Sequence, residues 1–168
     1  MQPFLELDAR LSRRLRLAER PGLFRSLAII LAHSGDSWFW AIALALVWFL
    51  GDAGWKQRVQ ILALGILITA LFVFAIKFTV KRRRPAGEWG AIYRNTDPHS
   101  FPSGHAARGM MLAVLAAGLG PAWFSAVLLV WSPLVVLARV AMGVHYLSDV
   151  LAGGLLGVLI GVGILYFI

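Results

Sequence analysis

Residues 59–80 read VQILALGILITALFVFAIKFTV, and the only charged side chain in this run is Lys77. About 20 consecutive apolar residues form a helix long enough to cross the hydrocarbon core of a bilayer. A charge inside such a run is costly unless it is paired. The stretch therefore predicts a membrane-spanning helix with one cation that needs a polar partner.

The composition of the whole chain agrees with a membrane protein. Of its 168 residues, 60% are apolar and 14% are charged, whereas an ordinary soluble domain has about 25% charged residues. This balance excludes a disordered chain and disfavours a water-soluble one. The length fits a single domain over residues 1–168, and the lack of cysteine excludes disulfides and thiolate-based sites.

Further apolar runs predict an all-α bundle of membrane helices. Residues 147–168 form a second clear span, while residues 109–138 are too long for one helix and divide at Gly120-Pro121 into two. A fourth run, residues 23–50, is interrupted by the polar break His33-Ser34-Gly35-Asp36. We interpret its first part either as interfacial or as a bent beginning of the same helix. The sequence thus predicts five spans, or six if that first part crosses alone.

The first 20 residues predict an amphipathic helix on the membrane surface. Apolar residues recur at helical spacing and arginines occupy many of the remaining positions. The two sets are Phe4, Leu7, Leu11, Leu15 and Ala18, and Arg10, Arg13, Arg14, Arg16 and Arg20. Such a helix lies in the interface with its cations toward the lipid headgroups. We expect it to end at Pro21-Gly22.

A first polar cluster follows residues 59–80. If that helix continues, Lys77, Lys81 and Arg84 fall on one face, and Pro85 then turns the chain into a polar segment. Taken alone, the basic run after the span fits the ordinary positive-inside signal better than it fits a site. The position of Lys77 inside the apolar run argues against that simple interpretation.

A second cluster is formed by Phe101-Pro102-Ser103-Gly104-His105. Ser103 is well placed to cap the N-terminus of a helix that begins at His105. Free backbone N–H groups at that end can hold a phosphate oxygen, and Gly104 lets the anion approach closely. A capped helix with an early histidine and no ligand fits these residues equally well.

A third cluster is formed by Arg139, His145 and Asp149. One helical turn would bring Asp149 to His145, where the carboxylate fixes the tautomer and raises the basicity of the other nitrogen. Arg139 lies beyond the Gly143 break and can fold back as an anion clamp. The alternative is a structural His–Asp pair at the membrane interface.

The three clusters are more informative together than singly. Five spans place them, and the N-terminal helix, on one membrane face. Three cations, a histidine at a helix start and a histidine–carboxylate pair describe a phosphoryl-transfer site without metal. The cations would hold the non-bridging oxygens, one imidazole would attack phosphorus and the other would protonate the leaving oxygen.

The sequence resembles the type 2 phosphatidic acid phosphatase (PAP2) family, which shares its site with vanadium haloperoxidases. The family's three motifs are matched in order by Lys77-x6-Arg84-Pro85, Pro102-Ser103-Gly104-His105 and Arg139-x5-His145-x3-Asp149. One position departs from the pattern, since the third motif commonly opens with Ser-Arg and this chain has Ala138-Arg139. Because the arginine is present, we expect the change to cost at most a supporting hydrogen bond.

The resemblance implies an α-helical membrane enzyme that removes phosphate from a lipid phosphate or pyrophosphate, with no metal or cofactor. His145 would be the nucleophile that forms a phosphohistidine, Asp149 would orient it, and His105 would be the general acid. The residues implied to bind the substrate phosphate are Lys77, Arg84, Ser103, Gly104 and Arg139. Members of the family act on undecaprenyl pyrophosphate, phosphatidylglycerol phosphate, phosphatidate or lipid A phosphates.

Two other functions stay open at this stage. The arginine-rich N-terminus alone would support a non-catalytic protein that binds anionic lipids. Vanadate-dependent halogen oxidation is chemically possible at such a site, but the apolar composition argues against it. Nucleic acid is disfavoured as a partner, because the seven tryptophans are not interleaved with basic residues on a soluble surface.

The remaining charges are expected to be structural. We interpret Arg82, Arg83, Arg94 and Arg108 as membrane-face charges rather than as further headgroup-binding residues, and His33 as part of a turn at a helix end.

A stripe of three glycines, Gly153, Gly157 and Gly161, predicts close helix packing either within one chain or in a homodimer. We expect an integral protein of a bacterial cell membrane, and the sequence leaves undecided which membrane face carries the site.

Overall fold

A computed structural model of the protein describes residues 2–94 and 97–168, and in this part of the chain eight helices occur and no β-strand. The helices are α1 (Gln2–Arg14), α2 (Leu23–Ser34), α3 (Ser37–Leu50), α4 (Ala53–Val80), α5 (Glu88–Arg94), α6 (Gly104–Leu119), α7 (Ala122–Ala141) and α8 (Leu147–Phe167). The predicted all-α class is confirmed.

Three of these helices, α4, α7 and α8, are long and apolar enough to cross a membrane. Helices α2 and α3 meet the same criterion together but are bent by 58° at the predicted polar break, which gives up to four spans. The expected division at Gly120-Pro121 is confirmed, because α6 ends at Leu119 and α7 begins at Ala122. With 16 residues, α6 is about 24 Å long, shorter than a hydrocarbon core of about 30 Å.

Helix α6 lies at the centre of the bundle and packs against α4, α7 and α8. The glycine stripe of α8 makes this possible. A Cβ atom added at Gly157 would overlap the carbonyl oxygen of Ala107, and one at Gly161 would lie 2.8 Å from Val114 Cβ. The two backbones therefore approach as closely as small residues allow. Of the two interpretations of the stripe, packing within one chain is the one that the structure has.

The N-terminal helix is shorter than expected. It ends at Arg14 rather than at Pro21-Gly22, because the following residues turn so that Ala18 can reach the end of α7. The Ala18 N–H donates to the Ala141 carbonyl at 3.1 Å, and its side chain is buried against neighbours that include Met142. The apolar side chains of Phe4, Leu7, Leu11 and Leu15 are exposed, whereas Asp8 and Ser12 point inward and are buried.

The end of α4 corrects the expected face of cations. The helix stops at Val80, and Lys81 takes a left-handed backbone conformation with φ of 51°. The chain therefore turns before it reaches Arg84, and Lys81 is exposed. Arg84 reaches the interior from an extended segment, which is held by an isolated bridge between Arg83 and His99.

The glycine stripe yields a test of the fold. Gly157→Ala should lower the free energy of unfolding by about 1–3 kcal/mol, because the added methyl group forces the α6 and α8 backbones apart. The matched control is Gly163→Ala, since a Cβ atom at Gly163 meets nothing within 4 Å. Thermal unfolding in detergent should separate the two variants. Equal melting temperatures would contradict the close packing of α6 on α8.

Candidate active site

A cavity of about 650 Å³ lies between α3, α4, α6 and the segment around Asp97. Its polar end is lined by Asp36, Lys77, Asp97, His105 and Arg108. Its other walls include the apolar side chains of Ile66, Ala70, Val73 and Phe74 on α4. A larger cavity of about 860 Å³ is lined by apolar residues and Ser34, and its described lining includes no charged side chain. The smaller cavity is therefore the candidate site, because it joins charges to an apolar wall.

His145 lies in the turn between α7 and α8 and is 1% exposed. Its Nε2 is 3.1 Å from Nη1 of Arg84. Because a guanidinium can only donate, we assign the lone pair to Nε2 and the proton to Nδ1, which lies 3.6 Å from Oδ2 of Asp149. The predicted His145–Asp149 pair is thus adjacent, at slightly more than hydrogen-bond distance.

The environment of His145 favours a neutral imidazole. Burial lowers the pKa of His145 well below its ordinary value, and the positive charges of Arg84, Arg139 and Lys77 lower it further. A neutral ring with an unprotonated Nε2 is the form that can attack an electrophile.

Lys77 and Arg84 share one counter-ion, Asp97, that the sequence analysis did not identify. Oδ2 of Asp97 accepts a hydrogen bond from Nη2 of Arg84 at 2.8 Å and another from Nζ of Lys77. Burial alone would raise the pKa of Asp97, but the hydrogen bond and charge of Lys77 and the charge of Arg84 outweigh it and hold the pKa below its usual range. Asp97 is therefore ionised, and its side chain remains 39% exposed.

Arg139 completes the group of cations. It is 1% exposed and donates from Nη1 to the Tyr93 hydroxyl at 3.2 Å, with its guanidinium 4.7 Å from the centre of the Tyr93 ring. Arg84 lies 5.3 Å from the same ring, so that Tyr93 holds two cations. Nε of Arg139 is buried without a hydrogen-bond partner among the described residues. Arg139 interacts electrostatically with both His145 and His105.

Ser103, Gly104 and His105 form the start of α6. Ser103 caps the helix as predicted, since its Oγ accepts from the Ala106 N–H at 3.4 Å, although the helix begins one residue earlier, at Gly104. The Ser103 N–H donates to the Asp149 carbonyl at 2.9 Å, which links the second motif to the third. Gly104 and His105 line the cavity.

Arg82 is not a membrane-face charge, and the interpretation of it as one is wrong. Its guanidinium bridges two carboxylates, with Nη1 at 2.7 Å from Asp149 and Nη2 at 2.7 Å from Asp8 of α1. Asp8 also accepts from the Ser148 N–H at 3.0 Å and from the Ser148 hydroxyl. The N-terminal helix is thereby joined to the carboxylate beside His145. The sequence signal for this role is weak, because α1 contains two acidic residues, Glu6 and Asp8, and nothing distinguishes one from the other.

Arg108 is also buried rather than membrane-facing, with 8% exposure. It donates to the Gly35 carbonyl and, at 2.7 Å, to the Ser37 hydroxyl, on the two sides of the break between α2 and α3. Arg83, by contrast, is exposed, and the side chain of Arg94 lies outside the described part of the structure. The arginines that follow α4 or lie in α6 thus differ in role although they look alike in sequence.

Within residues 2–94 and 97–168, no three His, Asp or Glu side chains are grouped so that they could hold a metal ion. Of the three predicted phosphate-binding cations, Lys77 lines the cavity, whereas Arg84 and Arg139 are not among its described lining residues. Arg84 contacts His145, and Arg139 contacts Tyr93.

Known proteins resemble this chain in sequence and in fold. A sequence profile of the PAP2 superfamily matches residues 58–168, which include all three motifs. The chain is 32% identical over 148 residues to the decaprenylphosphoryl-5-phosphoribose phosphatase of Mycobacterium tuberculosis, covering 86% of this chain and 80% of that protein. It is 31% identical over 141 residues to the undecaprenyl-diphosphatase of Sulfolobus acidocaldarius, covering 78% and 64%. The crystal structure of Aquifex aeolicus LpxE matches with a TM-score of 0.74 at 25% identity, covering 94% and 93%.

The Asp8 contacts yield a prediction about stability and pH. Burial would raise the pKa of Asp8, but hydrogen bonds from Ser148 and Arg82 outweigh it and lower the pKa. An acid with a lowered pKa stabilises the fold at neutral pH, and this contribution disappears as the pH falls through its folded-state pKa. Asp8→Asn should therefore lower the melting temperature at pH 7, and the difference from wild type should shrink below about pH 4.

Glu6→Gln is the matched control for this prediction, because Glu6 lies on the same helix and is exposed. Glu6→Gln should melt at the wild-type temperature both at pH 7 and below about pH 4. A difference between Asp8→Asn and wild type that stays constant down to pH 3 would contradict the ionised Asp8–Arg82 contact.

Proposed function

The chain belongs to the PAP2 superfamily, as its three motifs predicted, and from this premise we propose that it hydrolyses a polyprenyl-linked phosphate or diphosphate. It is a phosphoric-ester hydrolase of the membrane, since its relatives are phosphatases and its helices are apolar enough to span a bilayer. The two relatives named for polyprenyl substrates are each more than 30% identical to this chain, which supports that substrate class.

One observation carries the proposal, namely that charge and apolar surface meet in one cavity. Lys77 stands at the polar end, while Ile66, Ala70, Val73 and Phe74 continue along the same helix as an apolar wall. A phosphate at the polar end would leave an attached hydrocarbon chain against that wall. A soluble phosphate ester has no hydrocarbon chain that could contact this apolar wall.

In the proposed mechanism the phosphate displaces the Asp97 carboxylate from Lys77 and Arg84. These two cations and Arg139 bind the non-bridging oxygens, helped by the Ser103 hydroxyl and by the backbone N–H of Gly104 at the start of α6. Arg84 then donates to a phosphate oxygen instead of to His145, which frees Nε2 to attack phosphorus.

The proton balance of the two steps involves His105. As the bond between phosphorus and the leaving oxygen breaks, His105 gives a proton to that oxygen, and a phosphohistidine remains on His145. Water then attacks phosphorus and returns a proton to His105, which regenerates both rings. Asp149 stabilises the positive charge that His145 gains during attack.

For the membrane arrangement we propose five spans, with α6 as the fifth. Although α6 is short, its neighbours surround it, so that it crosses the apolar region without facing much lipid. We propose further that α1 lies on the membrane surface, with the exposed side chains of Phe4, Leu7 and Leu11 in the interface. Its contact through Asp8 places it at the same end as the site.

The first experiment measures phosphate release by purified protein in the presence of a chelator. The panel consists of undecaprenyl diphosphate, undecaprenyl phosphate, phosphatidate and phosphatidylglycerol phosphate, and we expect the highest kcat/KM for a polyprenyl substrate. His145→Ala should lose activity by about a thousandfold or more, because the substitution removes the proposed nucleophile. The control, Lys81→Met, should retain activity, since Lys81 is exposed and is not among the described residues that line the cavity.

Three outcomes would count against this proposal. Full activity in His145→Ala would refute the phosphohistidine, and loss of activity in chelator would refute metal independence. Binding of the lipids without turnover by wild type would favour the alternative, a non-catalytic protein that binds anionic lipids.

A second experiment concerns Asp97, which occupies the cations that the substrate needs. Asp97→Asn removes the competing negative charge but keeps a side chain of the same size. Inorganic phosphate should then inhibit at a concentration several-fold lower than in wild type, because it no longer has to displace a carboxylate. Weaker inhibition than in wild type would mean that Asp97 mainly holds Lys77 and Arg84 in place.

A further inference from the structure

The two histidines of the proposed mechanism are each next to a carboxylate, and only one of these carboxylates belongs to the three motifs. Asp149 is the motif carboxylate and lies beside His145. The other is Asp36, in the break between α2 and α3, whose Oδ1 is 2.7 Å from Nε2 of His105. The contact joins residues that are 69 positions apart in sequence.

Asp36 occupies a capping position but is not used as a cap. It is the N-cap residue of α3, yet its side chain makes no capping hydrogen bond. An aspartate that caps a helix contributes about 1 kcal/mol. Here one carboxylate oxygen contacts His105, while the other lies 2.9 Å from Nδ1 of His33 and accepts from the indole N–H of Trp38 at 3.2 Å. The Asp36 carboxylate therefore contacts His105, His33 and Trp38 and does not cap α3.

The backbone at the break between α2 and α3 packs closely on α6 and holds Asp36 beside His105. A Cβ atom added at Gly35 would lie 3.0 Å from Cδ2 of His105, so that a larger residue would push the break away. Arg108, one turn after His105 on α6, donates to the Gly35 carbonyl and to the Ser37 hydroxyl. These bonds fasten the backbone on both sides of Asp36 to the helix that carries His105.

The charges around His105 make a carboxylate partner necessary for a general acid. Its side chain is 17% exposed, and Arg108 and Arg139 both act on it as like charges when the ring is protonated. Burial and the like charges of the two arginines both oppose the protonated form of His105. Asp36 supplies the opposing negative charge, and His33, which is more exposed, lies on the far side of Asp36.

We propose that Asp36 is the positioning residue of His105. It holds the proton on Nε2, so that Nδ1 is the nitrogen that exchanges a proton with the leaving oxygen and with water, and its charge sustains the imidazolium. The proton that His105 gives up in the first step returns from water in the second, and Asp36 stays ionised throughout. This inference rests on the proposed function and adds to it a carboxylate outside the three motifs.

The test compares the pH dependence of kcat in wild type and in Asp36→Asn, with the lipid that wild type hydrolyses fastest. Asparagine keeps the size of the side chain but removes its charge. A general acid is active below its pKa, so loss of Asp36 should shift the basic limb of the profile to lower pH by about one unit. We expect kcat to fall by about tenfold or more and KM to stay within about twofold.

Asp52→Asn is the matched control. Asp52 is the N-cap residue of α4, and its side chain accepts from the Trp55 N–H at 2.9 Å. Its loss costs a cap but should leave kcat and the basic limb unchanged. Asp36→Glu, which retains the charge, should restore the basic limb to its wild-type position. If Asp36→Asn fails to fold, Asp36→Glu carries the test, with a several-fold lower kcat and an unshifted basic limb.

A wild-type kcat and an unshifted basic limb in Asp36→Asn would overturn the inference, as would a wild-type kcat in Asp36→Glu where only that variant folds. In either case wild-type turnover would still support the proposed function. Failure of wild type to hydrolyse any lipid of the panel would instead count against the proposed function itself.

Discussion

The structure depends on keeping three cations together at one end of an apolar bundle. Lys77, Arg84 and Arg139 are each at most 5% exposed, and their charges act on one another and on His145. Like charges in a medium of low dielectric repel strongly and lose most of their hydration, so that each needs fixed partners. Asp97 supplies one such partner and the ring of Tyr93 supplies another. Both partners lie between α4 and α6 in sequence, Tyr93 in α5 and Asp97 after it.

The same constraint explains why the N-terminal helix is attached to the site. Asp149 accepts from Arg82 as well as from the Tyr146 N–H, and Arg82 in turn needs Asp8. Acidic and basic groups therefore alternate from α1 to His145 in the order Asp8, Arg82, Asp149. The composition of α1 is that of a lipid anchor. Through Asp8 and Arg82, α1 also helps to hold Asp149 beside His145, the proposed nucleophile.

Much of the fold and of the site could be predicted from the sequence, because some features depend on local order alone. The apolar runs, the division at Gly120-Pro121 and the cap at Ser103 are local, and the structure has all of them. The three motifs are recognised by their spacing. Lys77, Gly104 and His105 line one cavity, and Arg84 contacts His145 in the turn between α7 and α8.

Contacts between distant segments could not be predicted in this way. Asp36 and His105 are 69 residues apart, and Arg82 and Asp8 are 74 apart, so that only the folded backbone brings them together. The expectation that Lys81 shares a face with Lys77 and Arg84 is wrong, because nothing in the run KRRR marks the left-handed residue that ends α4.

Helices α6 and α8 are in direct backbone contact. A Cβ atom added at Gly153 would overlap the Ser103 carbonyl oxygen, so main chain packs directly on main chain where the second motif meets α8. A change in the substrate preference of the proposed enzyme would therefore have to be made in the α3 and α4 walls of the cavity, because a methyl group at Gly153 or Gly157 would force α6 and α8 apart.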